Sequence, residues 1–234
     1  MSTTAISRTG LYAAIAAATA VILSPLLALS YFATGEGADE LQNPTVAAWA
    51  DPARDLIGPL LTWAAPERVY ATYVQAFALL FPAVLLCAWA VRARRPRGTR
   101  TERVGWRIAL AGYGVATAGL LAAFVILIAG SIAGDALNIV FLTLLLPGMF
   151  LSAIGSTVLG IALLRGRYAP RLTPWLLTLA FPSMVVVPTL LGHNSLGMVP
   201  LMVAWGVTGL RLRRSGDTAT AGPTGVSLRR AGRP

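Results

Sequence analysis

The chain has 234 residues, 56% of them hydrophobic and 12% charged, about half the charged fraction of an ordinary soluble domain. The shortfall lies in long uncharged runs, which excludes a soluble globular domain and puts the chain in the membrane class. The formal net charge is +10 and every positive side chain is arginine; these arginines lie between the apolar runs, so they read as topogenic and not as a nucleic-acid surface.

Residues 1–9 form a short polar lead containing Arg8. Residues 11–32 are apolar. They resemble a signal peptide with Ala28 and Ser30 at a small-residue cleavage pattern, but signal cores run to roughly 7–15 residues. The expectation is an uncleaved first transmembrane helix. Residues 33–69 are the one sizeable polar stretch between spans, with Glu36, Asp39, Glu40, Asp51, Arg54 and Asp55. Asn43-Pro44 and Asp51-Pro52 each set a capping side chain before a proline, which predicts two short helices. Leu56, Leu60 and Trp63 recur at helical spacing, and Trp49 and Trp63 suit the water–lipid boundary. The segment is expected to be amphipathic and to lie on the extracytoplasmic surface. It is either a plain connector or a lid over a site.

Pro66-Glu67 repeats the start signal and opens the second span, about 70–91. The single cysteine, Cys87, sits inside it and reads as a buried structural thiol. Residues 92–107 carry seven arginines and one glutamate. The third span is about 108–131, with Gly114, Ala118 and Ala122 at intervals of four. A short turn leads to the fourth span, 137–164, which holds no charge. Its Gly148, Ser152, Ser156 and Gly160 recur at a spacing of four. In lipid, helices pair where small side chains let backbones approach, so this face is predicted to be the packing surface for its neighbours. At about 1.5 Å per residue the span reaches roughly 42 Å, longer than the ~30 Å hydrocarbon core. Arg165, Arg167 and Arg171 follow. The fifth span, 173–191, is expected to be broken by Pro182 and Pro188, and the sixth runs 196–212 after a tight turn at 192–195. The tail, 213–234, has no apolar periodicity and reads as disordered and basic.

The arrangement alternates with charge. One side collects 17 of the 19 arginines and the other holds seven of the nine acids. The expected fold is therefore an all-α bundle of six transmembrane helices in the plasma membrane, both termini cytoplasmic and the 33–69 loop outside. LTLLLPGM (142–149) echoes LTLAFPSM (177–184), which raises an inverted repeat of the kind found in transporters.

No ionisable residue lies in the middle of a span, against the needs of proton-coupled transport. Prolines do: Pro25, Pro82, Pro147, Pro182 and Pro188. Each frees a carbonyl and bends its helix, which suits either a transport path or a kinked structural span. Polar residues gather at one depth on the outer side. Glu67, Arg68, Tyr73 and Gln75 open the second span, Asp135 and Asn138 the fourth, and His193 and Asn194 separate the fifth from the sixth. If these helices are neighbours, a shallow pocket forms beneath the 44–65 segment, with His193 as base, Glu67 and Asp135 as acids, and Arg68, Tyr73, Gln75, Asn138 and Asn194 as ligand contacts. The plainer reading is that loop ends are polar because they meet water. No metal-ligand spacing is present, and no cofactor is expected. There is no phosphate loop, HExxH or GxSxG. The cytoplasmic arginines suit anionic lipid head groups. The expected function is a non-enzymatic partner subunit, alongside another membrane protein or a second copy, or a binder of a hydrophobic ligand. The alternatives are a permease or channel component for a neutral solute, and an outer-leaflet enzyme acting on a lipid or prenyl substrate.

Overall fold

A computed structural model of the chain describes residues 3–95, 98–129 and 135–220, with the backbone alone at 3, 135 and 215–220. Among the described residues every regular element is helical. Helix α1 is Thr3–Tyr31; a 3-10 turn, Ala38–Gln42, leads to α2, Pro44–Leu61. Helices α3 (Pro66–Ala78) and α4 (Phe81–Arg94) form one span. Helix α5 is Arg100–Ile128. Helix α6 (Asp135–Val140), a π-helical segment (Phe141–Leu145) and α7 (Leu146–Arg165) form the next. Helices α8 (Leu172–Thr178) and α9 (Ala180–Leu191) meet at 57°. The short α10 (Asn194–Gly197) leads into α11 (Val199–Thr220). Five helical units are long and apolar enough to cross a membrane, or six if the bent α8–α9 pair is one span. The chain is a multi-pass membrane protein by that measure.

Two antiparallel pairs organise the bundle. In the first, α5 lies along α7. A Cβ on Gly105 would stand 2.9 Å from the Leu159 Cα, and one on Gly148 would stand 2.5 Å from the Ala116 nitrogen. Gly112 faces Ser152, and Gly155 faces Ala109, in the same register. Small residues alternating at three and four on both helices thus let the backbones touch. The expected face of Gly148, Ser152, Ser156 and Gly160 is buried. Gly148 and Ser152 meet α5, and Gly160 meets Pro174 and Thr178 of α8. In the second pair α1 runs along α11, with Gly10 against Gly209 and Gly206 against Ala17. The core between the pairs contains Trp106, Tyr113 and Trp205, each at most 1% exposed.

Three helical breaks share one cause. Proline lacks an N–H and clashes with the carbonyl four residues back. Pro82 follows the α3–α4 break, Pro147 follows the π segment, and Pro182 follows the α8–α9 bend. The freed groups find partners, as lipid requires. The Tyr12 hydroxyl donates to the Leu79 carbonyl. Thr157 Oγ1 donates to the Thr178 carbonyl at 3.2 Å and accepts from the Phe181 amide at 3.1 Å. Pro25 and Pro188 instead sit inside helices that continue through them.

Several expectations change. Asp51-Pro52 starts no new helix: α2 is one element, kinked at Ile57 just before Gly58-Pro59. Asn43 does cap it, accepting from the Thr45 amide at 3.0 Å. Helix α5 begins eight residues before the expected third span and passes through the arginine-rich stretch. The fifth span breaks at Leu179, ahead of Pro182 and not at it. Helix α11 runs to Thr220, eight residues past the expected end of the sixth span; residues 221–234 lie outside the described part.

Candidate functional site

The N-terminal ends of α3, α6 and α10 and the C-terminal end of α1 come together at one end of the bundle, around a cavity of about 1070 Å3. That volume lies just above the usual range of ligand pockets, about 300–1,000 Å3. Its rim is polar. Thr34, Glu36 and Glu40 come from the stretch after α1, Glu67 from α3, Asn138 from α6, and Asn194 from α10. Its shaft is apolar. Leu120, Ala123 and Leu127 face it from one side of α5, at the spacing of a helix face. Phe77 and Phe81 close it from α3 and α4, and Phe141 and Met149 from the π segment and α7. The π segment adds a residue to the turn. It is in this wall that Phe141 and Leu145 reach the lumen.

His193 stands at the junction of rim and shaft. Gly192 ends α9 in the left-handed conformation (φ 79°), which favours glycine. Extended backbone at His193 then starts α10, and its Nδ1 accepts from the Ser195 amide at 3.2 Å. The ring is a helix cap built from a histidine. The Ser195 hydroxyl lies 2.8 Å from Nδ1 and 3.0 Å from the Ser24 carbonyl, tying the turn to α1. No protein group bonds Nε2 among the described residues. Desolvation by the surrounding protein pulls His193 from its ordinary 6.5 down to about 4. The ring is therefore uncharged at neutral pH. Tyr31 packs on it at 5.2 Å and Tyr70 at 6.3 Å between ring centroids, and the two tyrosines are 5.4 Å apart.

The structure gathers Glu67, Asn138, His193 and Asn194 around one cavity. The other candidates do not line it. The Tyr73 hydroxyl donates to the Leu60 carbonyl at 2.7 Å, fastening α3 to α2. Arg68 is exposed and Gln75 half-buried. The Asp135 side chain lies outside the described residues. The 44–65 segment does not roof the cavity: α2 packs on Phe32 through Val46 and Ala50, and lines a separate surface pocket of about 620 Å3 with Asp51, Arg54 and Asp55. Residues 34–40 flank the mouth instead. The sequence reading missed Tyr31, Tyr70, Glu36 and Glu40. Two tyrosines at span ends read as boundary anchors, and nothing local says that they face one another.

The other end of the bundle holds a second polar cluster. The Arg95 Nε donates to Glu102 Oε1 at 2.7 Å, and the Trp106 indole donates to the same oxygen at 3.2 Å. Glu102 is 5% exposed. The guanidinium lies 5.0 Å over the Tyr168 ring, whose hydroxyl burial pushes up in pKa. Trp205 stacks near Trp106 at 5.9 Å and donates to the Tyr113 hydroxyl at 3.0 Å. Arg95, Trp106 and Trp205 each find an acceptor within the cluster, which is structural. No group of His, Cys, Asp and Glu able to hold a metal occurs among the described residues. Compared with protein-family profiles, curated proteins and solved structures, the chain matches none of them.

Proposed function

We propose that this multi-pass membrane protein binds a hydrophobic ligand in the cavity beside His193, without converting it chemically. The observation that carries the reading is the cavity itself, with a polar rim and a long apolar shaft inside an otherwise close-packed bundle. A catalytic role for His193 is the weaker reading, because Nδ1 is engaged by Ser195 in the α10 turn and no carboxylate among the described residues bonds the ring. A partner subunit docked on the small-residue face of α7 is weaker too, because Gly148, Ser152, Ser156 and Gly160 are taken up within the chain. Placement in the plasma membrane, with six spans, both termini cytoplasmic and the cavity mouth outside, is supported by the arginines. Arg95 and Tyr168 meet at the closed end, as do Gly10 and Gly209, so the arginine-bearing stretches share one side. A permease for a neutral solute is the runner-up. It is favoured by the π segment and the α3–α4 break, both in spans that wall the cavity.

The test uses two phenylalanines on one helix. Ala123 faces the cavity and is buried, whereas Val125 is 64% exposed on the outer face of α5. In maltoside micelles, hexadecanol raises the thermal midpoint of the wild type and of Val125→Phe, and leaves Ala123→Phe unmoved. A response of Ala123→Phe equal to wild type would end the cavity reading. Flux of a small neutral solute into proteoliposomes, blocked by Ala123→Phe, would move the reading to the permease.

A further inference from the structure

The charge around the mouth is of one sign. Glu36, Glu40 and Glu67 line it, and no arginine does. None of the three carboxylates makes an ion pair among the described residues. Elsewhere the chain pairs its buried acid with care, so three exposed carboxylates around an apolar shaft leave an unanswered negative field. Beneath them lie three aromatic rings in mutual contact, Tyr31, Tyr70 and His193. The faces of such rings attract cations. Tyr31 lies within electrostatic reach of Glu36 and Glu40, and Tyr70 within reach of Glu36, so carboxylates and rings act on one volume. Tyr70 is half-buried, and its hydroxyl has no hydrogen-bond partner among the described residues. The ring of His193 adds no positive charge to oppose a cation, since burial keeps it neutral.

The shaft sets the rest of the occupant. Its α5 wall runs from Leu127 down to Leu120, above the point where Ala116 packs on Gly148. Seven residues at ~1.5 Å each give roughly 10 Å, about a third of the ~30 Å hydrocarbon core. That reaches well into one leaflet, and the wall over it is carbon.

On the reading of the cavity as a ligand site, we propose that its occupant is an amine-headed amphiphile: a cationic head held by Glu36, Glu40 and Glu67 over the Tyr31–Tyr70–His193 rings, and an alkyl tail in the shaft. The head is recognised by charge and ring faces, and the tail by burial. An anionic or neutral head of the same tail length gains only the second part.

Three probes with one tail separate the parts: hexadecylamine, hexadecanol and hexadecanoic acid, offered in turn to the full chain in maltoside micelles and read by native mass spectrometry. The amine is expected to bind about tenfold more tightly than the alcohol, and the acid most weakly. In the triple variant Glu36→Gln, Glu40→Gln, Glu67→Gln the amine falls to the level of the alcohol, while alcohol binding is unchanged and reports an intact fold. Tyr70→Ala lowers amine binding more than alcohol binding. Equal binding of amine and alcohol by the wild type, tighter binding of the acid, or an amine affinity untouched in the triple variant would each overturn the cationic head and leave the cavity reading standing. No binding of any probe would overturn both.

Discussion

At one end of the bundle Glu102 is buried, holds Arg95 through two hydrogen bonds of 2.7 and 3.3 Å, and accepts from Trp106. At the other end Glu36, Glu40 and Glu67 are exposed and bond no cation among the described residues. The difference teaches where this chain spends its packing. Between Gly105 and Ala116, α5 and α7 touch backbone to backbone, Gly119 meets Leu145 of the π segment, and the core seals over the Arg95–Glu102 pair. Beyond Gly119 the facing side chains are large. Leu137, Phe141 and Leu145 line the cavity together with Ala123 and Leu127. Close approach ends where the small residues end, and the open volume begins there.

The largest effect should come from putting bulk where the backbones meet. Ala109 is fully buried against Gly155. Ala109→Phe is expected to cost about 3 kcal/mol or more through overpacking, read as loss of the monodisperse species on size-exclusion chromatography. The same side chain at Ala123, in the cavity, should be tolerated. If Ala109→Phe folds like wild type, the sealed half of the comparison is wrong.

Next is the closed charge cluster. Glu102→Ala strands Arg95 and leaves the Trp106 indole without its acceptor. Because Arg95 is 23% exposed, the expected loss is about 2 to 3 kcal/mol, below the ~3–5 of a fully buried pair. Thermal melting in micelles checks it.

A smaller effect separates the ends by pH. The folded pKa of His193 lies near 4, below the ordinary 6.5. The unfolded chain therefore takes up a proton that the folded chain refuses, and stability falls as pH drops from about 6.5 toward 4. His193→Asn keeps an acceptor for the α10 cap, as Asn43 provides for α2. The wild type should lose more thermal midpoint than this variant over that window; parallel curves would show that the ring is not desolvated. Smallest of all is Glu67→Ala at the open end, expected within about 0.5 kcal/mol of wild type. A loss comparable to that of Glu102→Ala would mean Glu67 has a partner, and the contrast between the ends would collapse.

Much of the helical layout was legible in the chain. The apolar runs needed no tertiary information, because a span must satisfy its own backbone in lipid. The four small residues of α7 were readable as a packing face because spacing of four is a local property of the helix. The proline breaks were half legible. Proline chemistry predicts a break, but its place, three or four residues earlier, depends on which carbonyl a neighbour such as Thr157 can satisfy.

The candidate site divided in the same way. Glu67, Asn138, His193 and Asn194 were reachable because loop ends of one topology share a depth. Tyr31, Tyr70, Glu36 and Glu40 were not, since nothing in residues 31–40 or 70 says that their spans are adjacent. That Tyr73 bonds Leu60 away from the cavity, and that the 44–65 segment is no lid over it, were not legible for that reason: which neighbour α3 presents to α2, and which end of α1 they cover, are facts of packing. By itself the sequence determined that these segments are helical, apolar and in lipid, because those are properties of each segment and its solvent. Only the tertiary structure decided that two of the helix pairs close on glycine and that the remaining spans stand apart around a cavity, because close approach depends on what each small residue meets on the facing helix.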